Sequence, residues 1–159
     1  MSYFIDIQHA SENKIPFSNQ ILENWAIAAL KEAKIESAEL TLRLVDKEEI
    51  QHLNLSYRKK DKPTNVLAFP SSLPEDIELE YPFLGDVIIC VKVLEKESEE
   101  YSRTLEAHWA HIVTHGVLHL LGYDHIEEED AKLMQALEIK LLANLGFANP
   151  YELEDDNLE

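Results

Sequence analysis

Three histidines fall in the run His115-Gly116-Val117-Leu118-His119-Leu120-Leu121-Gly122-Tyr123-Asp124-His125. His115 and His119 are four apart, so on a helix their rings project from one face, one turn apart. Two imidazoles so placed can share one metal ion. Gly122 falls where such a helix should stop, and glycine accepts the left-handed backbone common just past a helix end. A sharp turn there swings His125 back towards the other two rings. Three neutral imidazoles with an open fourth position describe a catalytic zinc site rather than a closed structural one. Neutral ligands leave the ion's charge uncompensated. Such a site attracts an anion, polarises its oxygens and lowers the pKa of bound water towards about 7. A phosphodiester is an anion with a poor electrophilic centre, so both effects favour its cleavage.

The spacing matches the extended zinc-peptidase pattern H-E-x-x-H-x-x-G-x-x-H, but position 116 is glycine where those enzymes carry a general-base glutamate. General base catalysis contributes about 10²- to 10⁴-fold in rate, and the motif offers no substitute. A zinc peptidase with an unorthodox base is therefore the weakest reading. His108 and His111 share the helical stripe of His115 and His119; each reads as a neighbour or supporting residue, since a fourth ligand would close the site. Asp124 either orients a histidine or caps the turn. The roles of His111, Asp124 and Asp86 stay open. His9 and His52 have no such context. Arg58 is the best cation for a phosphate, because a planar guanidinium binds phosphate through two parallel hydrogen bonds. The alternative for Arg58 is a solvated charge in the basic run that includes Lys59, Lys60 and Lys62.

The elements that must position these residues can be read from periodicity. Tyr3 to Gln8 alternates as a strand. Ser18 caps a helix to about Ala33, with Ile21, Leu22, Trp25, Ala28 and Ala29 as its apolar stripe. Ala38 to Val45 is a strand with Leu40, Leu42 and Leu44 on one face. Asp46 and Glu49 resemble a capping box for a short helix to about Ser56. Asn65 to Phe69 is a short strand, and Ser71 to Pro82 is a loop. Asp86 to Val93 is β-branched and reads as a strand buried on both faces, which puts Cys90 in the core. Helices over about Ser102 to Leu121 and Glu127 to Leu145 complete the chain. The order βαβαββαα predicts an α+β fold with a mixed four-stranded sheet packed with helices.

HGVLHLLGYDH at 115–125 resembles the signature of the YbeY family of metal-dependent endoribonucleases, also called rRNA maturation factors. Leu53-Asn54-Leu55-Ser56-Tyr57-Arg58 is similar to its LNxxYR, Pro63 to Pro70 to its PTNVLSFP, and Leu84-Gly85-Asp86-Val87 to its LGD strand start. The resemblance covers about residues 50 to 145. It implies a zincin-like single domain and one divalent metal, Zn²⁺ first, held by His115, His119 and His125. It implies Arg58 as the functional arginine and single-strand-specific RNA cleavage. It also implies a role in maturing the 3′ end of small-subunit ribosomal RNA and in ribosome quality control. Ala68 departs from the serine of PTNVLSFP, so no role for that hydroxyl transfers. The competing reading is a non-catalytic ribosome assembly factor with a structural metal.

Composition bounds the rest. The 159 residues suit one domain over residues 1–150, followed by an acidic, frayed tail over 151–159. No apolar run reaches the roughly 20 residues of a membrane helix. The start has no basic region before an apolar stretch, and a lone cysteine fits a reducing compartment, so a cytoplasmic protein without a membrane partner is expected. A net charge of −17 argues against nucleic acid if spread evenly. It is not even. Acidic blocks occupy 95–100, 127–130 and 152–159, while Arg58 to Lys62 is basic. The expectation is a weak grip on free single-stranded RNA, with ribosomal RNA reached partly by docking an acidic face on small-subunit ribosomal proteins.

Overall fold

The computed structural model describes residues 2–71, 82–123 and 127–151. Most of the expected loop, Asp124 and His125, and the acidic tail beyond Tyr151 lie outside the described residues. The elements are β1 (Ser2–His9), α1 (Asn19–Glu32), β2 (Ser37–Val45), α2 (Lys47–Arg58), β3 (Val66–Pro70), β4 (Phe83–Cys90), α3 (Val91–Glu100), α4 (Leu105–Leu120) and α5 (Glu128–Asn144). The strands form one sheet in the order β1-β2-β4-β3. β1, β2 and β4 run parallel, and β3 lies antiparallel to β4 at an edge. The fold is thus α+β with a mixed four-stranded sheet, as the periodicity predicts.

Both faces of the sheet carry a buried apolar cluster. Leu40, Leu42, Leu44, Val87 and Ile89 join Leu22, Trp25, Ala29 and Leu30 of α1 and Trp109, Val113 and Val117 of α4 in the main core. Val45, Leu67, Ile88 and Cys90 pack with Ile50 of α2 on the other face. Burial pushes the Cys90 thiol above its ordinary value, which makes it an inert core residue. No helix of the described residues is long and apolar enough to cross a membrane.

Local signals explain most boundaries. The Ser18 hydroxyl accepts from the Ile21 N–H, and Thr104 accepts from the Ala107 N–H at 3.1 Å, fixing the starts of α1 and α4. Two expectations need correction. The strand expected to reach Val93 ends at Cys90, and a helix follows at once. Val91, Leu94 and Ser98 are its buried residues, spaced at helical period, while Glu95, Lys96, Glu99 and Glu100 stay exposed. An apolar run that changes period in its middle reads as one strand. The capping box at α2 does not form. Asp46 occupies the cap position without bonding the helix. Its carboxylate accepts from the Ser11 hydroxyl, from the Glu12 N–H at 3.0 Å and from the Asn13 amide at 3.1 Å. Glu49 instead pairs with Arg43 at 2.6 Å.

Candidate metal centre

α4 carries the histidine pair through the middle of the fold. From His108 to Leu120 every residue is buried except His115 and His119, which are half-buried. Their ring centroids are 5.0 Å apart. One turn of helix thus brings two imidazoles side by side, as the i, i+4 spacing requires. α4 ends at Leu120, and Gly122, just past its cap residue Leu121, has a φ of +100°. The Gly122 N–H donates to the His119 carbonyl at 3.0 Å and the Tyr123 N–H to the Leu118 carbonyl at 3.2 Å. This is the Schellman closure that glycine past a helix end permits. The turn that must redirect the chain towards His125 is therefore present, while His125 itself lies outside the described residues.

Gly116, between the two histidines, faces the sheet. A Cβ there would lie 2.5 Å from Val87 Cγ1 and 3.3 Å from Val66 Cγ2. The absence of the peptidase glutamate thus has a packing cause. A side chain at 116 starts into Val87 of β4 and Val66 of β3, and the packing between α4 and the sheet must shift to admit it.

The residue that sequence reasoning missed is Glu138 on α5. It is fully buried, and its two oxygens gather the site. Oε1 accepts from His115 Nδ1 at 2.6 Å. Oε2 accepts from His111 Nε2 at 3.0 Å and from the Tyr151 hydroxyl. Burial alone would raise the Glu138 carboxyl; the hydrogen bonds from His111 and His115 outweigh it and bring its pKa down to about 2. Glu138 is therefore an ionised acceptor at neutral pH, which a buried carboxylate must have partners to be. Burial holds His111 below its ordinary value, against the pull of Glu138. Arg103 Nη1 lies 3.4 Å from His111 Nδ1, and Arg103 Nη2 donates to the Pro150 carbonyl. Arginine has only donors, so His111 accepts at Nδ1 and carries its proton at Nε2. His111 is a supporting neighbour of His115.

Two donor sets follow. His111, His115 and Glu138 offer ligand atoms all within 4.8 Å of one another and could hold a metal ion. The geometry also fits an ion on the cleft side. With Nδ1–H committed to Glu138, the deprotonated atom of His115 is Nε2, and a carboxylate behind a ligating histidine is the usual support in metal sites. His115, His119 and Glu138 all line an open cleft of about 790 Å³, but both Glu138 oxygens already accept hydrogen bonds. The imidazole donors suit a divalent ion such as zinc.

Arg58 lines the same cleft. It is the last residue of α2, and the helix stops there because Lys59 takes up a left-handed conformation with φ of 61°. Buried Asn54 donates to the Lys62 carbonyl at 2.9 Å and braces the basic turn. Arg58 is exposed and makes no ion pair among the described residues. Asp86 sits on β4 opposite Phe69 of β3. His108 bonds Glu97 at 2.9 Å, away from the cleft lining.

The model of the family described as Endoribonuclease YbeY matches residues 6–146. The chain belongs to this family. Proteins named Endoribonuclease YbeY from Legionella pneumophila strains Corby and Lens are 58% identical to it over 159 residues, covering 100% of both chains. The solution structure of TM1509 from Thermotoga maritima is similar, with a TM-score of 0.57 and 29% identity over 95% of this chain and 93% of that one. For this YbeY family member, the α+β fold with histidines on a helix packed against a mixed sheet is zincin-like.

Proposed function

We propose that the chain is a metal-dependent, single-strand-specific endoribonuclease that acts in rRNA processing, on the 3′ end of small-subunit rRNA, and in ribosome quality control. Family membership supports the endoribonuclease activity. The observation that carries the mechanism is the meeting of His115, His119 and Arg58 in one cleft. His115, His119 and His125 are the proposed ligands of one zinc ion within a hydrolase domain over residues 1–150. Bound there, the ion supplies positive charge that polarises a phosphodiester and stabilises charge developing on it.

The chain's own residues do the rest. Glu138 fixes the ring and tautomer of His115 through Nδ1. His111 and Tyr151 hold Glu138 in turn. Arg58 receives the non-bridging oxygens of the scissile phosphate and follows them into the transition state. The exposed acidic side chains of α3 and of the first turn of α5 cannot bind RNA themselves, and they suit basic ribosomal proteins. The chain acts in the cytoplasm in this reading.

The test is cleavage of a defined single-stranded RNA beside its duplex, with and without chelator. The expected result is chelator-sensitive internal cleavage of the single strand alone. Equal cutting by wild type, chelated protein and His115→Ala contradicts the reading and points to a contaminant.

A further inference from the structure

Tyr57 is 67% exposed, the most solvent-facing of the large apolar side chains among the described residues. Isolated surface aromatics need no explanation, but Tyr57 is not isolated. It directly precedes Arg58, and it lines the cleft that holds His115 and His119. Its ring lies 4.9 Å from that of Phe69, at an interplanar angle of 57°. Phe69 in turn packs against the cluster of Val45, Ile50, Leu67, Ile88 and Cys90. One ring is thus anchored in the core and the other stands in solvent at the mouth of the cleft. The two rings touch and present one aromatic surface beside Arg58, the arginine of that lining.

We propose that Tyr57 and Phe69 form a base-stacking subsite, which receives the unpaired nucleobase next to the phosphate bound by Arg58. This rests on the nuclease reading and deepens it. Every nucleobase offers a π face, so stacking on the exposed Tyr57 ring tolerates sequence. A base in a duplex has both faces covered by its neighbours and cannot enter. The subsite therefore supplies single-strand selectivity from this chain's own residues. It also compensates for the weak electrostatic grip of a chain with net charge −17. Lys59, Lys60 and Lys62 are exposed on the same turn and favour a polyanion over a peptide as the owner of the stacked ring.

The experiment uses the full-length metal-loaded protein and a single-stranded RNA carrying one 2-aminopurine. Steady-state cleavage and 2-aminopurine fluorescence are measured for wild type, Tyr57→Leu and Tyr57→Phe. Leucine keeps an apolar side chain at an exposed position and removes the ring. Tyr57→Leu is expected to raise KM about 5- to 150-fold, the range of one lost base–aromatic stack. It should keep wild-type metal content and lose the fluorescence quench seen on binding to wild type. Tyr57→Phe should restore both KM and quench, which a merely structural role of the hydroxyl would not allow. If wild type cleaves while Tyr57→Leu keeps its KM and its quench, the subsite is wrong and the nuclease reading stands. If wild type leaves the RNA intact, the nuclease reading falls and takes the subsite with it.

Discussion

Replacing Gly116 with alanine should damage both the fold and the site. The new Cβ would stand 2.5 Å from Val87 Cγ1 and 3.3 Å from Val66 Cγ2. Carbon atoms pack best at about 3.5–4.0 Å, so α4 and β4 must separate by roughly 1 Å. Val87 is fully buried on a central strand, and its β-branched side chain is stiff at χ1. Overpacking of this kind costs about 1–3 kcal/mol. Alanine's better helix propensity returns about 0.8–1 kcal/mol. The net expectation is a loss of about 1 kcal/mol and a Tm lower by about 2–4 °C at this chain length. The functional loss should be larger. Gly116 sits between His115 and His119, and a shift of about 1 Å relative to Arg58 can cost about 10²-fold in rate. Thermal unfolding and kcat on single-stranded RNA check both parts. Adding Val87→Ala removes the obstructing methyl, so the double variant should recover activity and show a coupling of at least about 0.5 kcal/mol. A Gly116→Ala protein that melts at or above wild type and keeps full kcat would refute the packing explanation for the missing glutamate.

Three further outcomes are expected. Arg58→Gln should lower kcat by about 10²-fold while metal content measured by emission spectroscopy stays at the wild-type level; loss of metal together with activity would contradict a phosphate role. Glu138→Gln puts an amide N–H₂ against one of two imidazole N–H groups, so metal affinity should fall about 10- to 100-fold in a competition titration with a zinc indicator. Unchanged affinity would show that His115 does not depend on its carboxylate. Asp46 is held below its ordinary carboxylate value first by the Ser11 hydroxyl and then by the Glu12 N–H. A lowered folded-state pKa stabilises above the unfolded value and loses that contribution as pH falls through the folded one. The stability gap between wild type and Asp46→Ala should thus be full at neutral pH and narrow on acidification below about pH 4, as followed by denaturant titration; a gap that widens in acid contradicts a stabilising role for the bonds from Ser11 and Glu12.

The histidine pair was legible because its geometry is local: four residues on a helix fix the relation of two rings before any tertiary contact forms. Gly122 was legible for the same reason. Glu138 was not, because its meaning depends on α5 packing beside α4, 23 residues away from His115. A signal did exist. Met134, Glu138, Leu141 and Leu142 are the buried stripe of α5, and a carboxylate at a core position of an amphipathic helix demands partners. Tyr151 lies in the stretch expected to be tail, yet it bonds Glu138 and lines the cleft; nothing in an acidic C-terminal run marks it. The sheet's mixed topology followed from strand count and order, whereas the start of α3 at Val91 was hidden by β-branched residues that suit either period. Asp46 had a sequence-local partner available and took a distant one, which propensity cannot foresee.

Where the metal binds is the central question for this site. Metal stoichiometry of the purified protein, measured for wild type, His111→Ala, His119→Ala and His125→Ala, separates the two donor sets. One zinc per wild-type chain is expected, retained by His111→Ala and lost by His119→Ala and His125→Ala, with RNA cleavage following the metal. Full zinc in His119→Ala with loss in His111→Ala would place the ion between His111, His115 and Glu138 and contradict the cleft-side site.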